Sequence, residues 1–356
     1  MKKLLLQATA VYALMLPAHA DVTLMSWGGA YEKSQIEAYI KPFTAETGIN
    51  VKMLSSDNPA APIKSMVEAG NITVDVADLE FTDAIRLCDE GLLERLDLAS
   101  LPPAPDGTPA AQDFLPEALT ECAVGSMTFS TVYGFDTTKF PDEKPAVLAD
   151  FFDLQKFPGK RGMRRGPKIN LELALMADGV EPDQVYEVLA TPEGVDRAFA
   201  KLDSIKPQIV WWQAGAQPPQ LLADGEVAMT TAYNGRLFSA VVAEGKPFQT
   251  VWDRHVLELL MFAIPKDAPN KDQAWDFIRF ATSTQRLADQ TKWISYGPVR
   301  RSSIPLVGLF EDDKTEMQQY LPTTEEHLNT ALHSSYDFWV DHETEITERF
   351  NAWLTM

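Results

Sequence analysis

The chain has 356 residues, of which 45% are hydrophobic and 23% are charged, and this length suffices for about two domains of about 150 residues each. The composition excludes a disordered, a collagen-like or a disulfide-dense scaffold. Acidic residues number 51 against 31 basic ones, and the resulting net charge of −20 argues against nucleic-acid binding, because such a surface repels phosphate groups.

The N-terminal residues have the pattern of an export signal. A short basic region, Lys2 and Lys3, precedes the largely apolar run 4–16, and an A-x-A cleavage motif ends at Ala20. The apolar run is too short to span a bilayer, and a buried first strand is the alternative interpretation. We therefore predict a signal peptide over residues 1–20 and a mature protein in the periplasm.

The chain contains two cysteines, Cys88 and Cys122. In an oxidising compartment such a pair usually forms one disulfide, and a closed loop of about 35 residues would contribute roughly 3–4 kcal/mol to stability. Two free, buried thiols are the alternative. The spacing excludes a C-x-x-C redox motif.

Short apolar strands alternate with helical patterns after the predicted signal, as is typical of α/β proteins with parallel sheets and right-handed crossovers. The first set has predicted strands at 22–27, 49–54 and 74–79, and predicted helices from Tyr31 to before Gly48, at 61–69 and at 83–91.

A second α/β set follows a Pro-rich loop at 101–109 and a predicted strand at 128–135. Its predicted strands are 161–165, 227–232 and 256–265, and its predicted helices are 146–154, 171–178, 182–190, 193–204, 218–224 and 272–281. We expect the acidic tail, 323–354, to be helical.

The sequence has no motif typical of a catalytic site: G-x-S-x-G, H-E-x-x-H, a phosphate-binding loop and a dinucleotide fingerprint are all missing. We therefore predict that the protein is not an enzyme and uses no cofactor. His327, His333 and His342 in the tail do not share one helical face, so we expect no metal site and interpret them as solvated or capping residues. A secreted hydrolase or lyase that uses carboxylates is the alternative class.

Aromatic residues stand where the first predicted strand ends, and ligands of open α/β sheets bind at the carboxyl ends of strands. Trp27 and Tyr31 flank Gly28 and Gly29, so a ligand can approach the backbone there, and the two rings can each face a cation. A tryptophan of the core is the alternative interpretation of Trp27.

Isolated carboxylates occur at two further predicted strands. Glu80 ends the third strand, and Glu258 is the only charged residue in the run 256–262. A lone carboxylate in an apolar strand needs a partner, which is either a buried arginine or the ammonium group of a ligand.

Two more clusters combine aromatic rings with polar groups: Trp212 with Gln213, and Tyr233 with Arg236. Arg236 can hold a carboxylate through a bidentate fork, and so can Arg164 and Arg165, which are neighbours in sequence. For at least one of Arg164 and Arg165, we expect a surface salt bridge instead.

Five stretches resemble the periplasmic solute-binding proteins of ABC importers, and among them the spermidine/putrescine-binding type. They are SWGGAYEKSQIEAYIKPFTAETGINV, VDVADLEFTDAIRLCDEGLLERLD, STVYGFDTTKFP, GAQPPQLLADGEVAMTTAYNGR and LLMFAIPKDAPNKDQAWDFIRFA. The resemblance covers nearly the whole chain after the predicted signal. It implies a type II-like fold of two α/β lobes, each a mostly parallel sheet flanked by helices, joined by hinge strands and closing over a small solute.

The resemblance also implies where the lobes and partners lie. We expect crossovers near 130–132 and 256–263, a first lobe of 21–131 plus 256–300, and a second lobe of 132–255 plus 301–356. We further expect a monomer that delivers its solute to the membrane permease of an ABC importer.

The resemblance also implies site residues. Trp27 and Tyr31 match the aromatic pair that this family has after its first strand, and Glu80 matches a polar residue of the pocket. Tyr233 matches an aromatic residue of the second lobe, and Thr131 matches a residue at the first crossover. This chain departs from the polyamine pattern at two places. Arg164-Arg165-Gly166-Pro167-Lys168, with Glu172 further on, replaces a pair of acids, and Leu260 stands where another acid is expected.

These departures leave few carboxylates for a long dication. A solute with one amine and one carboxylate, such as a γ-amino acid, fits a glutamate plus an arginine better. The predicted function is capture of a polyamine or of such a zwitterion by hinge closure, and the alternative is an organic acid or another small anion bound by the same fold.

Overall fold

The computed structural model describes residues 21–355, so the predicted signal peptide lies outside the described residues. In chain order the strands are β1 (Val22–Ser26), β2 (Val51–Ser55), β3 (Val76–Glu80), β4 (Ala123–Asp136), β5 (Arg161–Arg164), β6 (Ile209–Trp212), β7 (Met229–Tyr233), β8 (Phe248–Ala263) and β9 (Leu332–His333).

The α-helices of the described residues are α1 (Ala30–Gln35), α2 (Lys41–Thr47), α3 (Ala60–Glu68), α4 (Phe81–Asp89), α5 (Ala110–Asp113), α6 (Leu148–Phe152), α7 (Asn170–Ala177), α8 (Val185–Leu189), α9 (Pro192–Asp203), α10 (Gln217–Ala223), α11 (Asn234–Phe238), α12 (Lys271–Ala281), α13 (Thr284–Gln290), α14 (Glu325–Leu328) and α15 (Tyr336–Thr355). A π-helical turn, Ile36–Ile40, joins α1 to α2, and another, Ser239–Ala243, extends α11. In residues 21–355 no helix is both long and apolar enough to cross a membrane.

One mixed sheet runs through the molecule in the order β2-β1-β3-β8-β4-β7-β5-β6, and β9 pairs with β8. We call the part built on β1, β2 and β3 the first lobe, and the part built on β5, β6 and β7 the second lobe. Within each lobe the strands are parallel, while β4 and β8 run antiparallel to each other and to the neighbouring lobe strands. The predicted two-lobed α/β fold is therefore confirmed.

The two lobes meet end to end because β4 and β8 are long enough to serve both. β3 pairs with the last part of β8 and ends with Glu80 opposite Leu260, and β7 pairs with the last part of β4 and ends with Tyr233 opposite Thr131. Thr131 in turn lies opposite Val256, in the middle of both long strands. The carboxyl ends of the lobe strands therefore face each other across the crossover.

Each lobe has its own apolar core. That of the first lobe includes Leu24, Phe43 and Phe277, and that of the second includes residues of α6 and α7 together with Trp339 and Phe350 of α15. The packing of α15 on the second lobe supports the predicted division of the chain, whose boundaries remain a prediction.

The structure differs from two predictions for the tail, its secondary structure and the environment of one histidine. Instead of one helix over 323–354, α14 is followed by β9 and only then by α15. His327 is buried, with its ring stacked on Trp252 at 3.8 Å between centroids, so the interpretation of this histidine as solvated is wrong. Burial lowers the pKa of His327, because a charged imidazolium is poorly solvated there.

The two cysteines form a disulfide that ties α4 to the segment before β4. The Cα atoms of Cys88 and Cys122 are 5.8 Å apart, and the residues are separated by 34 positions in sequence. The bond lies in the first lobe, where Cys122 packs into a core with Leu79 and Leu87.

Replacing both cysteines by serine is expected to lower the free energy of unfolding by about 3 kcal/mol, because the unfolded chain regains the freedom that the closed loop removes. Urea denaturation of the variant and of the unchanged protein measures this difference. Treatment with a reductant is the control: it should destabilise the unchanged protein and leave the variant as it was. Equal stability of the two proteins would contradict the prediction.

Candidate functional site

A cavity lies between the lobes at the crossover of the long strands. It contains about 570 Å³ of space not filled by protein atoms, part of which is open to solvent. It is lined by Trp27, Gly28, Gly29, Tyr31, Asp57, Glu80, Met127, Phe129, Gly215, Ala216, Tyr233, Arg236, Leu260 and Tyr296. The lining is thus mainly aromatic and apolar, with a few charged groups, as is usual for small-molecule sites.

The aromatic rings of the lining contact one another, two pairs edge to face and one pair tilted. Tyr31 and Tyr296 are 5.6 Å apart between centroids, Phe129 and Tyr233 are 5.3 Å apart, and Phe129 also contacts Tyr296 at 6.1 Å. The rings come from both lobes and from β4 between them. They provide electron-rich faces on which a cation is stabilised.

Among the residues that the structure describes, Arg236 is the cationic side chain that lines this cavity. It is buried near the start of α11, and its Nε and Nη1 atoms have no hydrogen-bond partner in the part of the chain that the structure describes. Gly29 of the first lobe, with a φ of 71°, lies so close that a Cβ atom there would be 2.7 Å from Nη1. A glycine is therefore required for the guanidinium of the second lobe to reach the start of α1.

Trp27 also has a hydrogen-bond donor without a partner in the described residues. Its indole Nε1 is buried and unpartnered among residues 21–355. Together with Nε and Nη1 of Arg236, this makes three buried donor atoms without partners among the described residues, and all three belong to side chains that line the cavity. Since an unsatisfied buried donor costs about 1–3 kcal/mol, the cavity is suited to a ligand that brings an acceptor with negative charge.

Glu80 provides the opposite charge at the end of β3. Arg164 Nη1 lies 3.0 Å from its Oε1 atom, and Lys168 Nζ lies 3.2 Å from its Oε2 atom. Burial alone would raise the pKa of Glu80, but the ammonium of Lys168 and the guanidinium of Arg164 lower it to about 2. Glu80 is therefore ionised, and it links the first lobe to the second.

Glu258 is partnered by this same lysine. Its Oε1 atom lies 3.2 Å from Lys168 Nζ, so the structure provides a structural ion pair with a lysine in place of the two predicted partners, an arginine or a ligand. Glu258 is buried behind Glu80 and does not line the cavity. Its predicted contact with the ligand is therefore not supported by the geometry.

Three other predicted site residues also lie off the lining. Thr131 is buried in the strand pairing of β4, and Trp212 lies behind Tyr233, 5.8 Å away between ring centroids. Gln213 is exposed, as is Arg165. The structure thus brings together Trp27, Tyr31, Glu80, Tyr233 and Arg236, and leaves Thr131, Trp212, Gln213 and Glu258 outside.

Beneath Tyr31, a buried carboxylate organises the first lobe. Asp78 Oδ2 accepts hydrogen bonds from Ser26 Oγ at 2.8 Å, Tyr31 OH at 2.7 Å and Gln35 Nε2 at 2.7 Å, and Oδ1 accepts one from Ser126 Oγ at 3.3 Å. Asp78 therefore fixes the orientation of the Tyr31 ring at the cavity. Burial raises its pKa from the usual 3.8 to about 6, although these hydrogen bonds oppose the shift.

Replacing Asp78 by asparagine is expected to change how stability depends on pH. Because the pKa of Asp78 is higher in the folded than in the unfolded protein, its contribution is complete below about pH 4 and is lost as the pH rises through about 6. The unchanged protein should thus lose up to about 3 kcal/mol relative to the variant between pH 4 and pH 7.

Urea denaturation of both proteins at several pH values in this range measures the difference. The variant Asp97→Asn, which removes an exposed carboxylate, is the control for the loss of one negative charge. A difference between Asp78→Asn and the unchanged protein that stays constant with pH, or that grows in the opposite direction, would contradict the prediction.

Two lobes joined by long shared strands, with a cavity of ligand size at the junction, define a binding protein for a small solute. Comparisons with known proteins agree with this class. The chain belongs to a family of bacterial extracellular solute-binding proteins, whose sequence profile matches residues 38–319.

Three relatives are similar over almost the whole chain. A gamma-aminobutyric acid-binding protein of Pseudomonas aeruginosa is 44% identical over 333 residues, which cover 94% of this chain and 90% of that protein. The structure of the Atu4243–GABA receptor is 34% identical, with a TM-score of 0.78 and coverage of 94% and 97%. An ABC transporter substrate-binding protein from Bradyrhizobium japonicum is 33% identical, with a TM-score of 0.83 and coverage of 94% and 100%.

The predicted membership of the polyamine-binding type has weaker support. The spermidine/putrescine-binding protein PotD of Streptococcus pneumoniae has a TM-score of 0.70 to this chain but is only 18% identical, with coverage of 95% and 100%. This similarity shows a shared fold and nothing about the solute.

Proposed function

We propose that this protein is the periplasmic substrate-binding component of an ABC uptake system and that its solute is a γ-amino acid, with 4-aminobutyrate as the first candidate. The observation that carries the proposal is the set of buried donors on two residues that line the cavity, Nε and Nη1 of Arg236 and Nε1 of Trp27, all unpartnered within the described chain. A carboxylate satisfies such donors with charge-assisted hydrogen bonds of about 1.5–3 kcal/mol each.

The other end of the cavity supports the amino group of the solute. Glu80 is an ionised carboxylate on the lining, and Asp57 is a second, exposed one. The rings of Tyr31, Tyr233 and Tyr296 surround the space between them and Arg236. A cation over such a ring gains up to about 2 kcal/mol when it is desolvated. Both relatives whose names mention this solute, at 44% and 34% identity, agree with a zwitterion.

Capture follows from the position of these groups on different lobes. Trp27 and Glu80 belong to the first lobe, whereas Tyr233 and Arg236 belong to the second. A solute that contacts both sets stabilises the closed arrangement more than the open one, so its binding shifts the equilibrium toward closure. The closed protein would then deliver the solute to the permease of the importer.

A polyamine fits this lining less well. Among residues 21–355 the carboxylates that line the cavity are Asp57 and Glu80, both of the first lobe, so the second ammonium of a dication would have no carboxylate partner at the end where Arg236 lies. A dication would also have to approach Arg236. An organic acid without an amino group remains a distinct candidate, because the free donors of the wall attract any carboxylate.

Isothermal titration of four solutes against the mature protein separates these possibilities: 4-aminobutyrate, butyrate, 1-aminobutane and 1,4-diaminobutane. We expect 4-aminobutyrate to bind with micromolar or better affinity and each of the others at least tenfold more weakly, since each lacks one of the two charged ends or replaces it. Butyrate binding as tightly as 4-aminobutyrate would favour the organic-acid hypothesis, and binding of the diamine alone would favour the polyamine hypothesis. Binding of none would reject all three.

A further inference from the structure

The side-chain ammonium of Lys168 is surrounded by oxygen atoms, as the ammonium of a bound amine would be. Its Nζ atom donates to Thr82 Oγ1 at 2.7 Å and to Glu80 Oε2 at 3.2 Å, and it lies 3.2 Å from Glu258 Oε1. An ammonium has three donors, and three oxygen atoms surround this one. Lys168 follows β5 in the second lobe, whereas Glu80 and Thr82 belong to the first.

Three carboxyl groups, those of Glu80, Glu172 and Glu258, lie near the ammonium of Lys168. Glu258 Oε2 and Glu172 Oε2 are both buried without a hydrogen-bond partner in the described residues. Burial raises the pKa of Glu172 to about 7, and the nearby charge of Lys168 opposes that shift. Burial alone would lower the pKa of Lys168, but Glu80 and Glu258 raise it well above its usual value. The cluster therefore keeps a cation in place.

The backbone beside Lys168 is held in an unusual conformation. Ile169 has a φ of 73° and a ψ of −41°, a region that β-branched residues rarely adopt. Asn170 Nδ2 braces the loop by donating to Arg164 O at 2.6 Å and to Gly166 O at 2.7 Å. Such strain persists only where the surroundings enforce it, and it lies at the residue that follows Lys168.

We propose that the side chain of Lys168 occupies, from within the protein, the place of a second ligand ammonium and thereby restricts the site to solutes with one amino group. Glu80 lines the cavity on one side and contacts Lys168 on the other, so the space that the lysine fills adjoins the cavity. Removing the lysine would open an ammonium pocket at the end of the site. The inference rests on the proposed function for the nature of the solute.

The test is titration of 1,4-diaminobutane and of ethylammonium chloride against the unchanged chain and against Lys168→Ala. We expect the variant to bind the diamine at least tenfold more tightly than the unchanged protein does, and ethylammonium to raise the melting temperature of the variant alone. Lys168→Arg, which keeps a cation, should show neither gain. Lys266→Ala is the matched control, since Lys266 lies 3.2 Å from Glu94 at the surface.

A folded Lys168→Ala protein with no gain for either amine would overturn the inference. If that variant does not fold, Lys168→Met is used, and if neither folds in buffer, refolding is compared in ethylammonium and potassium chloride. Recovery in ethylammonium alone supports the inference, and equal recovery or none overturns it. Failure of 4-aminobutyrate to bind the unchanged protein would reject the proposed function instead, because the gain in diamine binding is measured independently of that solute.

Discussion

Replacing Arg236 by alanine is expected to weaken the binding of 4-aminobutyrate about a thousandfold. The guanidinium is buried, so the carboxylate of the solute would lose a charge-assisted partner in a place that water reaches poorly. Removing one member of such a buried pair costs about 2–5 kcal/mol, and a thousandfold loss corresponds to about 4 kcal/mol. Isothermal titration measures the change directly.

The analogue 1-aminobutane makes this experiment specific. It lacks the carboxylate, so its weak binding should be the same in Arg236→Ala as in the unchanged protein, or slightly tighter because a positive charge is gone. Arg95→Ala removes an exposed guanidinium that pairs only at the surface with Glu121, and this control should leave both affinities unchanged. If Arg236→Ala weakened the binding of both solutes equally, Arg236 would support the structure of the site and would not bind the carboxylate of the solute.

Replacing Glu80 by glutamine is expected to weaken 4-aminobutyrate binding at least about a hundredfold. This change removes the charge that faces the amino group, and it also leaves Arg164 and Lys168 of the second lobe without their common partner. Breaking a buried ion pair on one side costs about 3–5 kcal/mol. Opening of the lobes would return the two cations to water, so the variant should favour the open arrangement.

Titration measures the affinity, and small-angle X-ray scattering measures the opening as a larger radius of gyration of the variant in the presence of solute. Glu311→Gln is the matched control, because Glu311 also pairs with a lysine of the first lobe, Lys33, whose side chain is 53% exposed. Exposed pairs contribute only about 0–1 kcal/mol, so this control should change the affinity by less than about fivefold. A similar loss in both variants would contradict the special role of Glu80.

Local signals explain why much of the fold could be predicted. Gly48, which stops the predicted first helix, has a φ of 76° and ends α2. Short apolar runs located most of the short lobe strands. The start of β8 was missed because Asp253, Arg254 and His255 interrupt its apolar pattern, and its pairing with β4 and β9 depends on distant residues. β9 has two residues, too few for any periodicity.

The candidate site was predicted in part, for a similar reason. The ends of parallel strands identify Trp27, Glu80 and Tyr233, because topology alone brings those ends to one place. Phe129 was missed, although it stands two residues before Thr131 on the same face of β4. The ion pairs of Lys168 could not be predicted, because they join residues about ninety positions apart through tertiary packing.

The two long strands, β4 and β8, also affect how the protein unfolds. Residues 123–130 of β4 pair with the end of β8, and residues 131–136 pair with β7 and with the beginning of β8. When either lobe melts, the other loses the continuation of its central strands and exposes their backbone amides to solvent. We therefore expect the two lobes to denature as a single cooperative unit, although the proposed closure over a solute would move them as two bodies.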